Sequence, residues 1–192
     1  SDVCNQTVAE QAQNYSSPRQ TKQMPELPEI EATAEALISA NNPMIWAGAG
    51  VLFSGSSDAL KELSQLTSIP VFCTMSGKSG FDERDPLSLG SGCGTTTLMA
   101  HEWLKDSDVI LALGSSLTRS PYAQAIPRGK ILIQNTNNPD DINKDESIQI
   151  SLVGDTKLTI DELIKAIKKK TKNKGFGDLE KISLKIKAIK ES

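Results

Sequence analysis

Two glycine-containing segments stand directly after short apolar runs, where a parallel sheet would present them to a ligand. Gly48-Ala49-Gly50 follows the run Met44–Ala47. Gly114-Ser115-Ser116 follows the run Val109–Leu113, and Arg119 comes shortly after it. Ligands of open parallel sheets bind outside the carboxyl ends of the strands, where glycine lets a phosphate approach backbone N–H groups and arginine can pair with it. The pattern indicates nucleotide binding, although glycines at these positions serve equally to turn the chain after a buried strand.

The dinucleotide-binding fingerprint GxGxxG is broken in the first of these segments. Leu52 stands two residues past Gly50, and Gly55 is misplaced for the third glycine. An NAD-dependent oxidoreductase needs that fingerprint together with an acidic residue about 20 positions later. Among the functions that the chain could have, this one therefore ranks last.

Residue types for metal or covalent catalysis are scarce. The cysteines Cys4, Cys73 and Cys93 lack CxxC spacing, so neither a zinc site nor a disulfide framework is indicated. The only histidine, His101, falls in a helical pattern and is expected at the surface or half-buried rather than as a catalytic base. Cys73 lies inside an apolar run and is expected in the core. Cys93, among glycines, is the better candidate for a reactive thiol, but no positive partner stands beside it and a structural role is favoured.

Length and composition point to one domain without a membrane or nucleic-acid partner. The 192 residues are 38% hydrophobic and carry a formal net charge of -3. No apolar run is long enough to span a bilayer, no signal sequence opens the chain, and the acidic balance disfavours nucleic acid. We expect a cytoplasmic protein. The first residue is Ser1 rather than Met, which suggests a piece of something longer.

Short apolar runs alternate with amphipathic helical patterns along the chain, as in proteins built from βα units. The run from Val109 to Leu113 is apolar throughout, which is typical of a central parallel strand. The pattern predicts a three-layer α/β/α Rossmann-like domain with a parallel sheet of about six strands. The predicted strands cover 44–47, 70–74, 109–113, 131–133 and 148–153. Three predicted helices begin near Pro28, Asp58 and Leu98, and a closing helix contains Ile160–Ile167.

We expect three segments. Residues 1–28 are polar and read as an extended lead-in or linker, and residues 29–170 form the α/β domain. Residues 171–192 form a linker or a partial helix, with apolar residues on one stripe (Leu179, Ile182, Ile186 and Ile189). Two readings stay open for this stripe: a helix packed on a missing neighbour, or a solvated tail.

The order and spacing of five segments across residues 29–168 resemble the central domain of thiamine-diphosphate-dependent enzymes of the acetolactate synthase type. The lead-in is similar to the linker from the pyrimidine-binding domain of that family, and the lysine-rich end to the linker toward the diphosphate-binding domain. The five segments are Pro43–Val51, Gly77–Phe81, Asp85–Gly90, Asp108–Arg119 and Val153–Asp155.

The resemblance implies a parent enzyme of three α/β domains, a lyase or transferase acting on 2-oxo acids, that works as a homo-oligomer. Its thiamine diphosphate, magnesium ion and activating glutamate would belong to the two other domains. The nearest match to the magnesium motif of the third domain, Gly175-Phe176-Gly177-Asp178, lacks the strand and asparagine that should follow it. We therefore expect no catalytic or metal-binding residue in this chain, and no activity from it alone.

The central domain of that family holds FAD or an ADP-containing ligand in some members and is structural in others. Two departures argue against bound FAD here. Gln134–Asn137 stands where flavin-binding members carry an acidic residue for the ribose, and Gly90–Gly94 does not match the loop that lies against a flavin ring. The contacts carried over by position are Gly48, Ala49, Gly50, Gly114, Ser115, Ser116, Arg119, Asn135, Gly154 and Asp155.

Two hypotheses follow. In the first, the chain is the non-catalytic central domain of a thiamine-diphosphate enzyme, serving assembly and carrying at most a vestigial FAD- or ADP-type site. In the second, it is a free-standing module of the same fold that binds FAD, ADP or CoA as a regulator or subunit. The NAD-dependent oxidoreductase is the third and weakest.

Overall fold

The computed structural model describes residues 6–7, 15–18 and 21–191. In this part of the chain six parallel strands form one sheet, in the spatial order β3-β2-β1-β4-β5-β6. The predicted α/β class with a parallel sheet of about six strands is confirmed. The strands are β1 (Met44–Ala47), β2 (Val71–Thr74), β3 (Ser88–Gly92), β4 (Val109–Leu113), β5 (Ile131–Thr136) and β6 (Ile150–Val153).

Helices connect most of these strands and cover both faces of the sheet. The longest helix, α5 (Thr156–Thr171), begins where the Asp155 carboxylate accepts the Leu158 N–H at 3.1 Å, and three lysines in its last turn suit the helix dipole. The helices are α1 (Leu27–Ser39), α2 (Ala49–Phe53), α3 (Ser57–Thr67), α4 (Leu98–Asp106), α5 (Thr156–Thr171) and α6 (Leu179–Lys190). Short 3-10 turns cover Met75–Gly77 and Pro139–Asp141.

Alternate residues of the central strands enter two separate hydrophobic cores. Ile45 and Leu111 face α1, α3 and α5, whereas Trp46 and Ala112 face α4 and α6. Because both faces of β1 and β4 are covered, all their residues are buried. None of the described helices is long and apolar enough to cross a bilayer.

The edge strand β3 was not among the predicted strands. Its sequence, Ser88 to Gly92, has a single large apolar residue, Leu89, and its pairing with β2 shifts register within β2. Gly90 adopts φ +81°, and the hydroxyl of Thr97 donates to the Leu89 carbonyl. A glycine- and serine-rich edge strand gives no hydrophobic alternation, so the sequence pattern looked like a loop.

The C-terminal stripe differs from both expectations, because the neighbour it packs on lies within this chain. Helix α6 rests on α4 and the second core, with Ile186 buried and Ile182 half-buried. The Nζ atom of Lys185 lies 4.5 Å from the centre of the Trp103 ring, a cation–π contact between the two helices. Leu179 remains 42% exposed.

The predicted lead-in falls partly on residues 1–5, 8–14 and 19–20, which lie outside the described residues. Residues 21–26 have no regular secondary structure and pass the end of β6. There the Asp155 N–H donates to the Gln23 carbonyl at 2.8 Å, and Lys22 pairs with the Asp155 carboxylate at 3.0 Å. This stretch therefore forms one side of the region where the predicted site lies.

Candidate binding cleft

An open cleft of about 1300 Å³ lies at the carboxyl end of the sheet, where the strand order reverses between β1 and β4. This is the place where doubly wound sheets bind ligands. The ends of β1, β4 and β6, the loop 115–128 and residues 21–23 contribute to its wall. Of the residues named from the sequence, the cleft is lined by Gly48, Ala49, Gly50, Gly114, Ser115, Ser116, Arg119, Gly154 and Asp155.

The glycines at the floor of the cleft hold two loops against each other. The N–H of Gly48 donates to the Leu113 carbonyl, and the N–H of Gly50 to the Gly114 carbonyl, each at 2.9 Å. A Cβ atom on Gly50 would lie 2.5 Å from the Gly114 Cα. Gly114 itself adopts φ +59°, which favours glycine. The close contact between the two loops therefore requires glycine here. The Gly48 and Gly50 N–H groups already have backbone acceptors and are not free to bind a ligand.

Asn135 lies behind this floor and does not line the cleft. Its side chain is buried, and its Oδ1 accepts the Gly114 N–H at 3.1 Å. Its Nδ2 is within hydrogen-bond distance of the carbonyls of Leu152 (2.9 Å) and Gly154 (3.0 Å) and the Thr159 hydroxyl (3.0 Å). The carboxamide therefore joins the ends of β4 and β6 to the first turn of α5.

Arg119 reaches the wall of the cleft with its charge already paired. Its guanidinium donates to both carboxylate oxygens of Glu146, at 2.8 and 3.0 Å, and its backbone N–H donates to Asp145 at 2.9 Å. The Glu146 carboxylate raises the pKa of Arg119. A phosphate would have to compete with Glu146 for this group.

Gly154 and Asp155 anchor the segment that precedes α1. A Cβ atom on Gly154 would lie 2.7 Å from the Cδ of Pro25, so a larger residue would displace that segment. Burial acts to raise the pKa of Asp155, but the Leu158 N–H and Lys22 outweigh it and the pKa is lowered. A carboxylate that caps a helix and pairs with lysine has a structural role already.

The serines of the β4 loop also have local partners. Ser115 Oγ accepts the Leu117 N–H at 3.3 Å, and the hydroxyls of Ser116 and Thr118 lie 3.0 Å apart. Ala49 opens the short helix α2 beside them. The hydroxyl groups of Ser115 and Ser116 therefore stabilise the loop, and both residues line the cleft.

Sequence reasoning missed an acidic residue beside the end of β5. Thr136 ends the strand, and its hydroxyl donates to Asp141 Oδ2 at 2.8 Å. Both residues line the cleft, since the 3-10 turn after β5 brings Asp141 back to it. The signal in the sequence was Asn138-Pro139-Asp140, which is typical of a turn that returns the chain. Arg128 also lines the cleft and forms no ion pair with the described residues.

Cys73, Cys93 and His101 lie as the sequence predicted, and Cys4 lies outside the described residues. Cys73 is buried in β2, and burial raises the pKa of its thiol to about 11. Cys93 borders the cleft, where the backbone N–H and hydroxyl of Thr95 lower its pKa. His101 is exposed on α4. Among the described residues, no three His, Cys, Asp or Glu side chains are grouped so that they could hold a metal ion.

Fold and cleft define a doubly wound α/β domain with an open cleft at its switch point. The chain belongs to the family of the thiamine pyrophosphate enzyme central domain, whose model matches residues 30–163. The resemblance seen in the sequence is thus confirmed.

Curated relatives agree with this family, and solved structures share the fold. The chain is 32% identical over 141 residues to the probable acetolactate synthase large subunit of Methanococcus aeolicus, a match that covers 72% of the chain and 24% of the relative. The fold is similar to benzoylformate decarboxylase from Polynucleobacter necessarius (TM-score 0.66, 22% identity, covering 79% of this chain and 29% of that one). It is equally similar to a putative thiamin diphosphate-dependent enzyme from Mycobacterium smegmatis (TM-score 0.66, 24% identity, 80% and 30%). The chain spans about a quarter of the length of the curated relatives that it matches.

Proposed function

We propose that this chain is the non-catalytic central domain of a thiamine-diphosphate-dependent enzyme that acts on 2-oxo acids by carboligation or decarboxylation. The observation that carries the proposal is the family match over residues 30–163, together with relatives that are acetolactate synthase large subunits, of which the matched segment is about a quarter. In such an enzyme the domain serves assembly. Its partners are the pyrimidine-binding and diphosphate-binding domains, in a homo-oligomer in the cytoplasm.

Thiamine diphosphate and magnesium belong, in this proposal, to those other domains. The described residues do not supply the donor set, because their carboxylates are not grouped for a metal ion. Gly175 and Gly177 of the motif-like segment instead pack against the Leu66 and Thr67 carbonyls at the end of α3. No step of the reaction is therefore assigned to residues of this chain. We propose that the complete enzyme is a lyase or transferase.

The cleft is proposed to be a vestigial nucleotide site. Three features support weak or absent binding of FAD or ADP. The Gly48 and Gly50 N–H groups are bonded to backbone carbonyls, Arg119 is held by Glu146, and Asp141, the acid beside the end of β5, is bonded to the Thr136 hydroxyl. A nucleotide would have to break the Arg119 pair to recruit that charge.

An assay of 2-oxo acid consumption tests the proposal that this chain is non-catalytic. The chain is incubated with thiamine diphosphate, Mg²⁺ and pyruvate, with a complete acetolactate synthase as the positive control. We expect no turnover above the buffer background. Pyruvate consumption that scales with the concentration of this chain would contradict the proposal.

The size of the cleft favours a second candidate, a free-standing module that binds FAD, ADP or CoA. A volume of about 1300 Å³ is ample for a nucleotide, and Arg128 lines it without an acidic partner among the described residues. Calorimetry with each of the three ligands separates the candidates. Micromolar binding that Arg128→Ala weakens would favour the module, and no heat at millimolar ligand would favour the vestigial site.

A further inference from the structure

Residues 21–24 form an exposed strap along the side wall of the cleft, beside the end of β6. All four residues are exposed and lie outside helices and strands, whereas the next residue, Pro25, is buried. Thr21, Lys22 and Gln23 line the cleft. The strap therefore has a fixed end at Pro25 and an exposed stretch that borders the cleft.

The polar contacts of the strap converge on Asp155. Among the described residues, the Asp155 N–H donates to the Gln23 carbonyl at 2.8 Å, and Asp155 Oδ2 pairs with Lys22 Nζ at 3.0 Å. The Lys22 side chain is 53% exposed, so this ion pair is open to water and to screening by salt. The polar attachment of the strap thus depends on one residue and includes one weak, solvent-exposed ion pair.

The remaining bonds around Asp155 do not involve the strap. Its other carboxylate oxygen, Oδ1, accepts the Leu158 N–H at 3.1 Å, and its carbonyl accepts the Thr159 N–H at 3.0 Å. The Gly154 N–H donates to the Thr136 carbonyl at 2.8 Å, which holds the end of β6 to β5. The strap can therefore leave Asp155 while α5 keeps its cap and the sheet keeps its pairing, as a separate local opening requires.

Gly154 leaves the room that the strap occupies. A Cβ atom at this position would lie 2.8 Å from the Gln23 carbonyl oxygen and 2.7 Å from the Pro25 Cδ. Gly154 is not among the residues with positive φ, so its backbone conformation does not itself demand glycine. The close approach of the strap to the end of β6 is the reason that a small residue is needed here.

We propose that the strap is a gate in the side wall of the cleft, hinged at Pro25 and held closed by the Lys22–Asp155 ion pair. When the pair breaks, residues 21–24 move away from the end of β6 and the cleft widens on that side. The gate is a property of this chain alone. In the proposed parent enzyme the strap leads toward the preceding domain, whose position would then bias the gate; only this consequence rests on the proposed function.

Hydrogen exchange of the Asp155 amide, followed by NMR spectroscopy of the whole chain, tests the gate. This N–H is bonded to the Gln23 carbonyl when the strap is closed and loses that bond when it opens. Lys22→Gln should speed its exchange about two- to fivefold, the effect of losing an exposed ion pair. The intrinsic exchange rate of the amide stays the same, because neither Asp155 nor its sequence neighbours are altered. The Thr159 amide, within α5, should exchange as before.

Lys165→Gln is the matched control, since it removes an ion pair with Glu162 on α5, away from the strap. It should leave exchange at the Asp155 amide unchanged. Raising the NaCl concentration about tenfold should speed this amide in the unaltered chain and have little further effect in Lys22→Gln, where no ion pair remains to be screened. Equal effects of Lys22→Gln and Lys165→Gln would contradict the latch.

A steric variant tests the gate without removing a charge. Gly154→Ala places a methyl group against the strap and should also speed exchange at the Asp155 amide, after correction for the altered intrinsic rate. The proposal is overturned if Lys22→Gln leaves this amide unchanged. It is also overturned if the Asp155 amide and the β4 amides exchange at the same rate with the same dependence on urea, because the strap would then open only when the whole domain unfolds.

Discussion

The carboxamide of Asn135 has all its polar atoms bonded beneath the cleft. It accepts from the Gly114 N–H and lies within donating distance of two carbonyls and a hydroxyl. Nothing of this side chain is exposed. Its position behind the lining makes it a residue that fixes the shape of the site.

Asn135→Ala should lower the free energy of unfolding by about 2–4 kcal/mol, because it strands several buried polar groups. Urea unfolding followed by circular dichroism measures the loss. Asn137→Ala, in the exposed cleft wall, is the control and should change stability by no more than about 0.5 kcal/mol. Equal effects of the two variants would contradict the assigned role.

Asp108 fastens the turn before β1 to the turn before β4. Its carboxylate accepts the N–H of Asn41 at 2.7 Å and that of Asn42 at 3.0 Å. Burial acts to raise the pKa of Asp108, but these hydrogen bonds outweigh it and the pKa is lowered. Because the pKa is lowered on folding, the carboxylate stabilises the fold at pH values above its pKa in the unfolded chain, about 3.9. This contribution is lost as the pH falls through the pKa in the folded state.

Asp108→Asn should therefore cost about 1–2 kcal/mol of unfolding free energy near neutral pH, since the amide can accept but has lost the charge. The difference from the unaltered chain should shrink as pH falls below about 4. Urea unfolding at several pH values measures it, with the exposed Asp140→Asn as control. A difference that stays constant down to low pH would show that the charge of Asp108 does not matter.

At this scale the sequence located the cleft but not the partners of each side chain. Glycines after predicted strands identified its floor, because backbone direction follows from local pattern. The pairing of Arg119 with Glu146 and the burial of Asn135 depend on residues distant in sequence. No periodicity in one segment could have revealed them.

At the scale of elements, the β1 and β4 loops make the closest contact around the cleft. Gly50→Ala places a Cβ atom 2.5 Å from the Gly114 Cα, and backbone cannot give way as a flexible side chain can. We expect a loss of more than about 2 kcal/mol, or failure to fold. Thermal unfolding measures it. Gly55→Ala, with φ +65° and open space around it, should cost only about 1–2 kcal/mol, and a larger loss there than at Gly50 would contradict this account.

Helix α6 offers a second prediction at this scale. Ile186 is 5% exposed between α4 and the second core, so Ile186→Ala should lower the unfolding free energy by about 2–3 kcal/mol. Leu184, 58% exposed on the same helix, supplies the control. Differential scanning calorimetry should show the melting temperature reduced for Ile186→Ala only. If neither variant changes it, α6 does not contribute to the stability of the domain.

Elements with strong hydrophobic patterns were predicted well, and weak patterns were not. Strands β1, β2 and β4 and the long helices have apolar residues at regular spacing. Strand β3 and the end of β5 consist largely of small or polar residues that only the neighbouring strands bury or pair. Helix α2 is too short for a period to be visible in five residues.

At the scale of the whole molecule, protection against solvent should follow the layers. Strand β4 is central, fully buried and paired on both sides, whereas residues 115–128 have no helix or strand. Hydrogen–deuterium exchange should find β4 amides slowest and the 115–128 loop among the fastest. Comparable protection in both segments would contradict the layered description.

The α/β class and the parallel sheet could be predicted from the sequence, because βα alternation leaves few arrangements, but the order of the strands was not predicted. The packing of α6 on α4 could not be predicted, because an apolar stripe indicates that a helix face is buried but not which element covers it. Lys185 above Trp103 identifies the partner only once both helices are placed.

The bonds between the β1 and β4 loops also decide how the cleft can deform. Gly48 to Leu113 and Gly50 to Gly114 join the two halves of the sheet at the point where a hinge would otherwise open. We expect the floor of the cleft to be stiffer than the 115–128 loop and the 21–26 stretch, which contain no helix or strand. A bound molecule would reshape the rim and leave the switch point unmoved.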